Sequence, residues 1–107
     1  MTETDILIVE DDKDIATVLG DFLRAKGYVV SIASDGKKAL ALYERYGARL
    51  LILDLMLPGV EGLEVLNHIR KESNTPVLIA SAKNSKEDKL DGLMAGADDY
   101  IEKPYDI

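Results

Sequence analysis

Ile6-Leu7-Ile8-Val9-Glu10-Asp11-Asp12 is a run of four branched or leucine residues followed at once by three carboxylates. An apolar run this short, with no polar alternation, is expected of a strand covered on both faces. The same shape returns at Leu50–Leu53, closed by Asp54, and at Val77–Ala80, closed by Ser81. Tyr28–Ala33 and Tyr100–Ile101 complete a series of five runs, each starting twenty-odd residues after the last. The intervals read as helices. Ile15, Val18, Leu19, Phe22 and Leu23 share a helical stripe that stops at Lys26-Gly27. Asp35-Gly36 opens a second helix carrying Ala39, Leu40, Leu42 and Tyr43, and Gly47 ends it. Leu63, Leu66 and Ile69 mark a third that stops before Pro76, and Leu90, Leu93 and Met94 a fourth that ends at Gly96. Strands alternating with helices imply parallel strands joined by right-handed crossovers, hence a five-stranded α/β sheet with helices on both faces. Period and spacing leave the strand order open.

Lys103-Pro104-Tyr105-Asp106-Ile107 reads as a strand end passing into the first turn of a helix, with proline at a favoured early position. Residues 1–107 are therefore expected to form one domain that stops where a fifth helix would begin. With 107 residues, 47% of them apolar, the chain is long enough for one core without staples. No segment approaches the ~18 consecutive apolar residues of a membrane span, since Asp54 interrupts even Leu50–Leu57. The start, Met1-Thr2-Glu3-Thr4-Asp5, lacks the basic and apolar blocks of a secretory signal. The absence of cysteine excludes disulfides and thiolate chemistry and fits a reducing cytoplasm. A net charge of -7 and a pI near 4.6 argue against nucleic-acid contact by this segment.

In open α/β sheets ligands bind beyond the carboxyl ends of the strands. The residues closing the runs are Glu10-Asp11-Asp12, Asp54, Ser81 and, after the last run, Lys103. Carboxylates gathered at one rim repel: two unit charges ~4 Å apart cost about 1 kcal/mol in water and about 4 at an effective dielectric of 20. A cation would relieve this, and oxygen-only ligands favour Mg²⁺, or Mn²⁺, over Zn²⁺. The Ser81 hydroxyl and the Lys103 ammonium are what a bound phosphoryl group needs. Asp54, the lone acid of its run, then suits the role of nucleophile. Capping the first helix and complementing its dipole is the role expected of Asp14, with Asp12 left between that role and the site.

The runs Ile6–Asp12, Leu53-Asp54-Leu55-Met56-Leu57-Pro58-Gly59 and Ala95–Pro104 together resemble a bacterial two-component response-regulator receiver domain. The resemblance covers almost the whole chain and is closest to receivers carrying a winged-helix (OmpR/PhoB-like) output. It implies a flavodoxin-like sheet of strand order 2-1-3-4-5. It further implies that Asp54 is the phosphoacceptor, served by a sensor histidine kinase. Asp11, Asp54 and the backbone carbonyl of Met56 would bind the metal, with Glu10 acting through water. Ser81 would contact the phosphoryl oxygens, Tyr100 would be the aromatic switch residue and Lys103 the site lysine. The output surface would be the fourth helix, fifth strand and fifth helix, through which winged-helix regulators dimerise, and the role would be transcription regulation by a DNA-binding domain absent from this segment. Such a receiver catalyses its own phosphorylation and dephosphorylation without being a turnover enzyme. Two alternatives are a degenerate receiver working by protein contact alone and an aspartate-based phosphatase. The phosphatase pattern Asp-x-Asp is broken by Met56, and the intact acid, serine and lysine set speaks against degeneracy.

Overall fold

The computed structural model describes residues 4–54, 62–81 and 99–102, with Leu63, Glu72, Ser81 and the last four by their backbone. The elements are β1 (Ile6–Val9), α1 (Lys13–Ala25), β2 (Val30–Ala33), α2 (Gly36–Tyr46), β3 (Leu50–Leu53), α3 (Gly62–Glu72), β4 (Val77–Ser81) and β5 (Asp99–Glu102). The strands pair in parallel in the order β2-β1-β3-β4, and β5 pairs with β4 beyond them. The expected fourth helix at Leu90–Gly96 and the start of a fifth at Lys103–Ile107 lie outside the described residues.

β1 sits between β2 and β3 and is buried along its whole length, which is why its sequence shows no alternation. Side-chain alternation along the strands nonetheless sorts the core into two layers. Leu7, Val9, Leu51, Leu53, Val77 and Ile79 pack with Val65, Leu66 and Ile69 of α3 and Ala39 of α2. Ile6, Ile8, Val30, Ile52 and Ala80 pack on the opposite face against Leu19 and Leu23 of α1. Among the described residues no helix is long and apolar enough to cross a membrane.

Two boundaries differ from the sequence expectation. β2 starts at Val30 rather than Tyr28, because the chain there is still closing α1: the Tyr28 N–H donates to the Leu23 carbonyl at 3.3 Å. The Tyr28 and Val29 side chains are exposed. Along α1 the expected stripe is rotated. Ala16 and Gly20 are buried, while Val18 is 58% and Phe22 42% exposed. Helix and β2 approach closely at Gly20, where a Cβ would stand 3.0 Å from Ile32 Cδ1, tighter than an ordinary contact.

α2 begins and ends as its sequence predicts. Asp35 caps it by accepting from the Lys38 N–H at 2.8 Å, and Gly47 ends it at φ 68°. Its Tyr43 hydroxyl bridges to Ser73 and Thr75, each at 2.6 Å, tying α2 to the α3–β4 connection. Asp5 fastens the opposite end of the sheet. Its carboxylate accepts from the Val29 N–H at 2.7 Å and its carbonyl from the N–H groups of Arg49 and Leu50, each at 3.0 Å.

Candidate functional site

β1 and β3 are neighbours in register, Val9 opposite Leu53, so the residues that follow them emerge side by side. The chain goes from β1 to β2 on one side of the sheet centre, and β3 lies on the other. This pair of strand ends is therefore a topological switch point, where α/β sheets place their ligands. Two ladder-like bonds extend the pairing past the strands. The Asp54 N–H donates to the Val9 carbonyl and the Glu10 N–H to the Ala33 carbonyl, each at 3.0 Å.

These bonds bring Glu10, Asp11 and Asp54 together. One carboxylate oxygen of each lies within 4.8 Å of the others. Glu10 and Asp54 are 3% and 5% exposed, whereas Asp11 faces solvent. Three carboxylates so close, two of them withdrawn from water, suit a hard divalent cation bound by oxygen. The donor set contains no nitrogen or sulfur and thus fits the group the sequence led one to expect.

The other predicted residues distribute as follows. Ser81 is the last residue of β4 rather than the first beyond it, and its backbone is opposite Glu102. Tyr100 is in β5, opposite Ile79, which is itself opposite Leu53. Backbone register thus sets Ser81 at the carboxyl end of the strand next to β3, and Tyr100 one strand further out, level with the end of β3. Met56 and Lys103 lie outside the described residues.

Of the two acids left open for the start of α1, Asp12 is the N-cap: its Oδ1 accepts from the N–H groups of Asp14 and Ile15 at 3.0 and 3.2 Å. Asp14 sits in the first turn, where its charge complements the helix dipole. The sequence reading also missed that the Asp12 N–H donates to Glu10 Oε2 at 3.3 Å. Its available signal was Asp12 itself, a capping residue standing immediately before the helix run.

Residues 6–107 match the model of the response regulator receiver domain. The chain belongs to that family. It is 46% identical over 102 residues to the sensory transduction protein RegX3 of Mycolicibacterium smegmatis, covering 95% of this chain and 45% of that protein. It is 50% identical over 100 residues to the uncharacterized transcriptional regulatory protein YrkP of Bacillus subtilis, covering 94% and 43%. Its fold superposes with a TM-score of 0.88 on the receiver domain of the Saccharomyces cerevisiae response regulator Ssk1, which was crystallised with the histidine phosphotransfer protein Ypd1. That match is 29% identical and covers 98% of this chain and 81% of the other. The receiver is thus closely related to those of OmpR/PhoB-type regulators, and it spans less than half the length of the two curated relatives. Receivers undergo their own phosphorylation and dephosphorylation rather than turning over an external substrate, and the acidic cluster accords with phosphoaspartate signalling.

Proposed function

We propose that residues 1–107 form the receiver unit of a two-component transcriptional regulator, and that Asp54 is its phosphoacceptor. The observation carrying this reading is the buried Asp54 carboxylate set against Glu10 and Asp11 at the carboxyl ends of adjacent strands. The donor is the phosphohistidine of a sensor histidine kinase, and the receiver works in the cytoplasm. An Asp54 carboxylate oxygen bonds to phosphorus, the P–N bond breaks, and its electron pair returns to the imidazole nitrogen. Asp11, Asp54 and the Met56 carbonyl would hold Mg²⁺, or Mn²⁺ in its place, and Glu10 would act through water. When bound, the cation offsets the charge of the carboxylates and of the incoming phosphoryl oxygens.

Glu10 and Asp11 position Asp54 and supply the negative charge that retains the cation. Ser81 donates a hydrogen bond to a phosphoryl oxygen, and Lys103 balances the remaining charge. Engagement of Ser81, with Tyr100 changing its packing, favours one of two surface arrangements. In the full-length protein that surface, the fourth helix, fifth strand and fifth helix, mediates homodimerisation and controls a DNA-binding output. The YrkP and Ssk1 comparisons support the transcriptional role and the phosphohistidine source.

The test is incubation with acetyl phosphate and Mg²⁺, followed by intact-mass and peptide mass spectrometry. One phosphoryl adduct on Asp54, absent without Mg²⁺ and absent in Asp54→Asn, is expected. An adduct on a different residue refutes the assignment. Continuous hydrolysis of unrelated phosphomonoesters would favour a phosphatase instead.

A further inference from the structure

We infer that Asp12 is a positioning residue for the metal site, acting through the cap of α1 and not as a ligand; this rests on the proposed reading of Glu10, Asp11 and Asp54 as that site. Asp12 makes four contacts that fix its backbone and side chain. Its Oδ1 accepts from the N–H groups of Asp14 and Ile15, its carbonyl accepts from the Ala16 N–H at 3.0 Å, and its own N–H donates to Glu10 Oε2.

The consequence falls on Asp11. Asp11 is the exposed member of the carboxylate cluster, and no burial holds its side chain in place. Its position depends on the backbone at either side. On one side Glu10 is anchored by its N–H on the Ala33 carbonyl; on the other Asp12 is anchored on the first turn of α1. The helix cap therefore holds the loop that presents Asp11, and the Asp12 N–H orients the Glu10 carboxylate in the same stroke. The Asp12 carboxylate, engaged by two backbone donors, is not among the three that converge within 4.8 Å. It contributes a hydrogen-bond acceptor, not a fourth ligand charge.

The distinction is testable because a cap needs an oxygen but not a charge. Asparagine and serine cap helices about as well as aspartate, whereas alanine does not. Isothermal calorimetry with MgCl₂ on the unphosphorylated chain should give Asp12→Asn and Asp12→Ser an affinity within about twofold of the parent. Asp12→Ala should bind roughly tenfold more weakly, the low end of what outer partners of metal ligands contribute. Asp35→Ala, which removes the equivalent cap from α2, should lower stability similarly and leave Mg²⁺ affinity unchanged. If Asp12→Ala does not fold, Asp12→Gly replaces it, since glycine at a cap costs the helix little yet offers no side-chain oxygen.

Unchanged affinity in Asp12→Ala or Asp12→Gly overturns the inference. So does equal weakening in Asp12→Asn and Asp12→Ala, which would assign the effect to charge, and so does equal weakening in Asp35→Ala, which would assign it to general destabilisation. Asp11→Asn separates the two levels. Loss of Mg²⁺ binding in Asp11→Asn beside an indifferent Asp12→Ala sinks the positioning role alone. A parent that binds no Mg²⁺, or an Asp11→Asn variant that binds as the parent does, sinks the site and this inference with it.

Discussion

Asp54 and Glu10 are withdrawn from water while Asp11 is left in it, and this asymmetry separates their contributions. A carboxylate held near two others raises the energy of the metal-free fold by electrostatic repulsion, of order 1–4 kcal/mol per close pair depending on the local dielectric. Asp54→Asn removes one of the charges with almost no change of shape. The variant is expected to lose phosphorylation from acetyl phosphate completely, yet to unfold at a denaturant midpoint equal to or above that of the parent in Mg²⁺-free buffer. Stability maintained together with loss of the adduct is the signature of a charge kept for function at a cost to the fold. A clear fall in the midpoint would instead mean that Asp54 supports the structure.

Helix and strand boundaries show which local signals were decisive. α2 was legible at both ends because its signals are backbone chemistry: Asp35 offers an acceptor to the Lys38 N–H, and Gly47 takes a φ of 68° with ψ -170°, a conformation almost confined to glycine. Open space surrounds Gly47, so Gly47→Ala meets no clash and should still lose about 1–3 kcal/mol through the backbone alone. Denaturant unfolding with an unchanged slope would measure it. Tyr43→Phe should lose about 0.5–1.5 kcal/mol through the hydroxyl's bonds to Ser73 and Thr75, which keep the 2.9 Å bond between them, again read from the midpoint. The start of β2 and the buried stripe of α1 were not legible in the same way. Apolar character marks Tyr28, Val29, Val18 and Phe22 as candidates for the core, but which side of a helix faces the sheet is settled by tertiary contact at Gly20 and Ile32. The Glu10, Asp11 and Asp54 cluster was legible because parallel strands in register bring equivalent strand ends together, and sequence spacing reveals those ends. The capping role of Asp12 was left open by competition. Any of three neighbouring acids could cap α1, and only the path of the chain selects one.

The sheet carries three close carboxylates at one rim of a chain whose net charge is -7, so two different electrostatic costs add in the folded molecule. The diffuse cost comes from the net charge and is screened by any salt, since the Debye length falls from ~10 Å at 0.1 M to ~3 Å at 1 M. The local cost comes from three carboxylates within 4.8 Å, and a cation bound among them offsets it in a way that screening cannot. Mg²⁺ at a hundredfold excess over its dissociation constant should therefore stabilise the fold by about 2.7 kcal/mol, as any ligand specific to the native state does. For a domain of this size that is on the order of 10 °C in melting temperature. NaCl at matched ionic strength should give only the smaller, diffuse part. Asp11→Ala supplies the decisive contrast. Without that carboxylate the Mg²⁺ increment should collapse to the NaCl increment, while the metal-free variant melts at or above the parent because one repulsive neighbour is gone. Thermal melts of both proteins in the two salts measure all four quantities. A parent that responds identically to Mg²⁺ and to NaCl would show that the cluster holds no cation, and the proposed chemistry at Asp54 would lose its electrostatic basis.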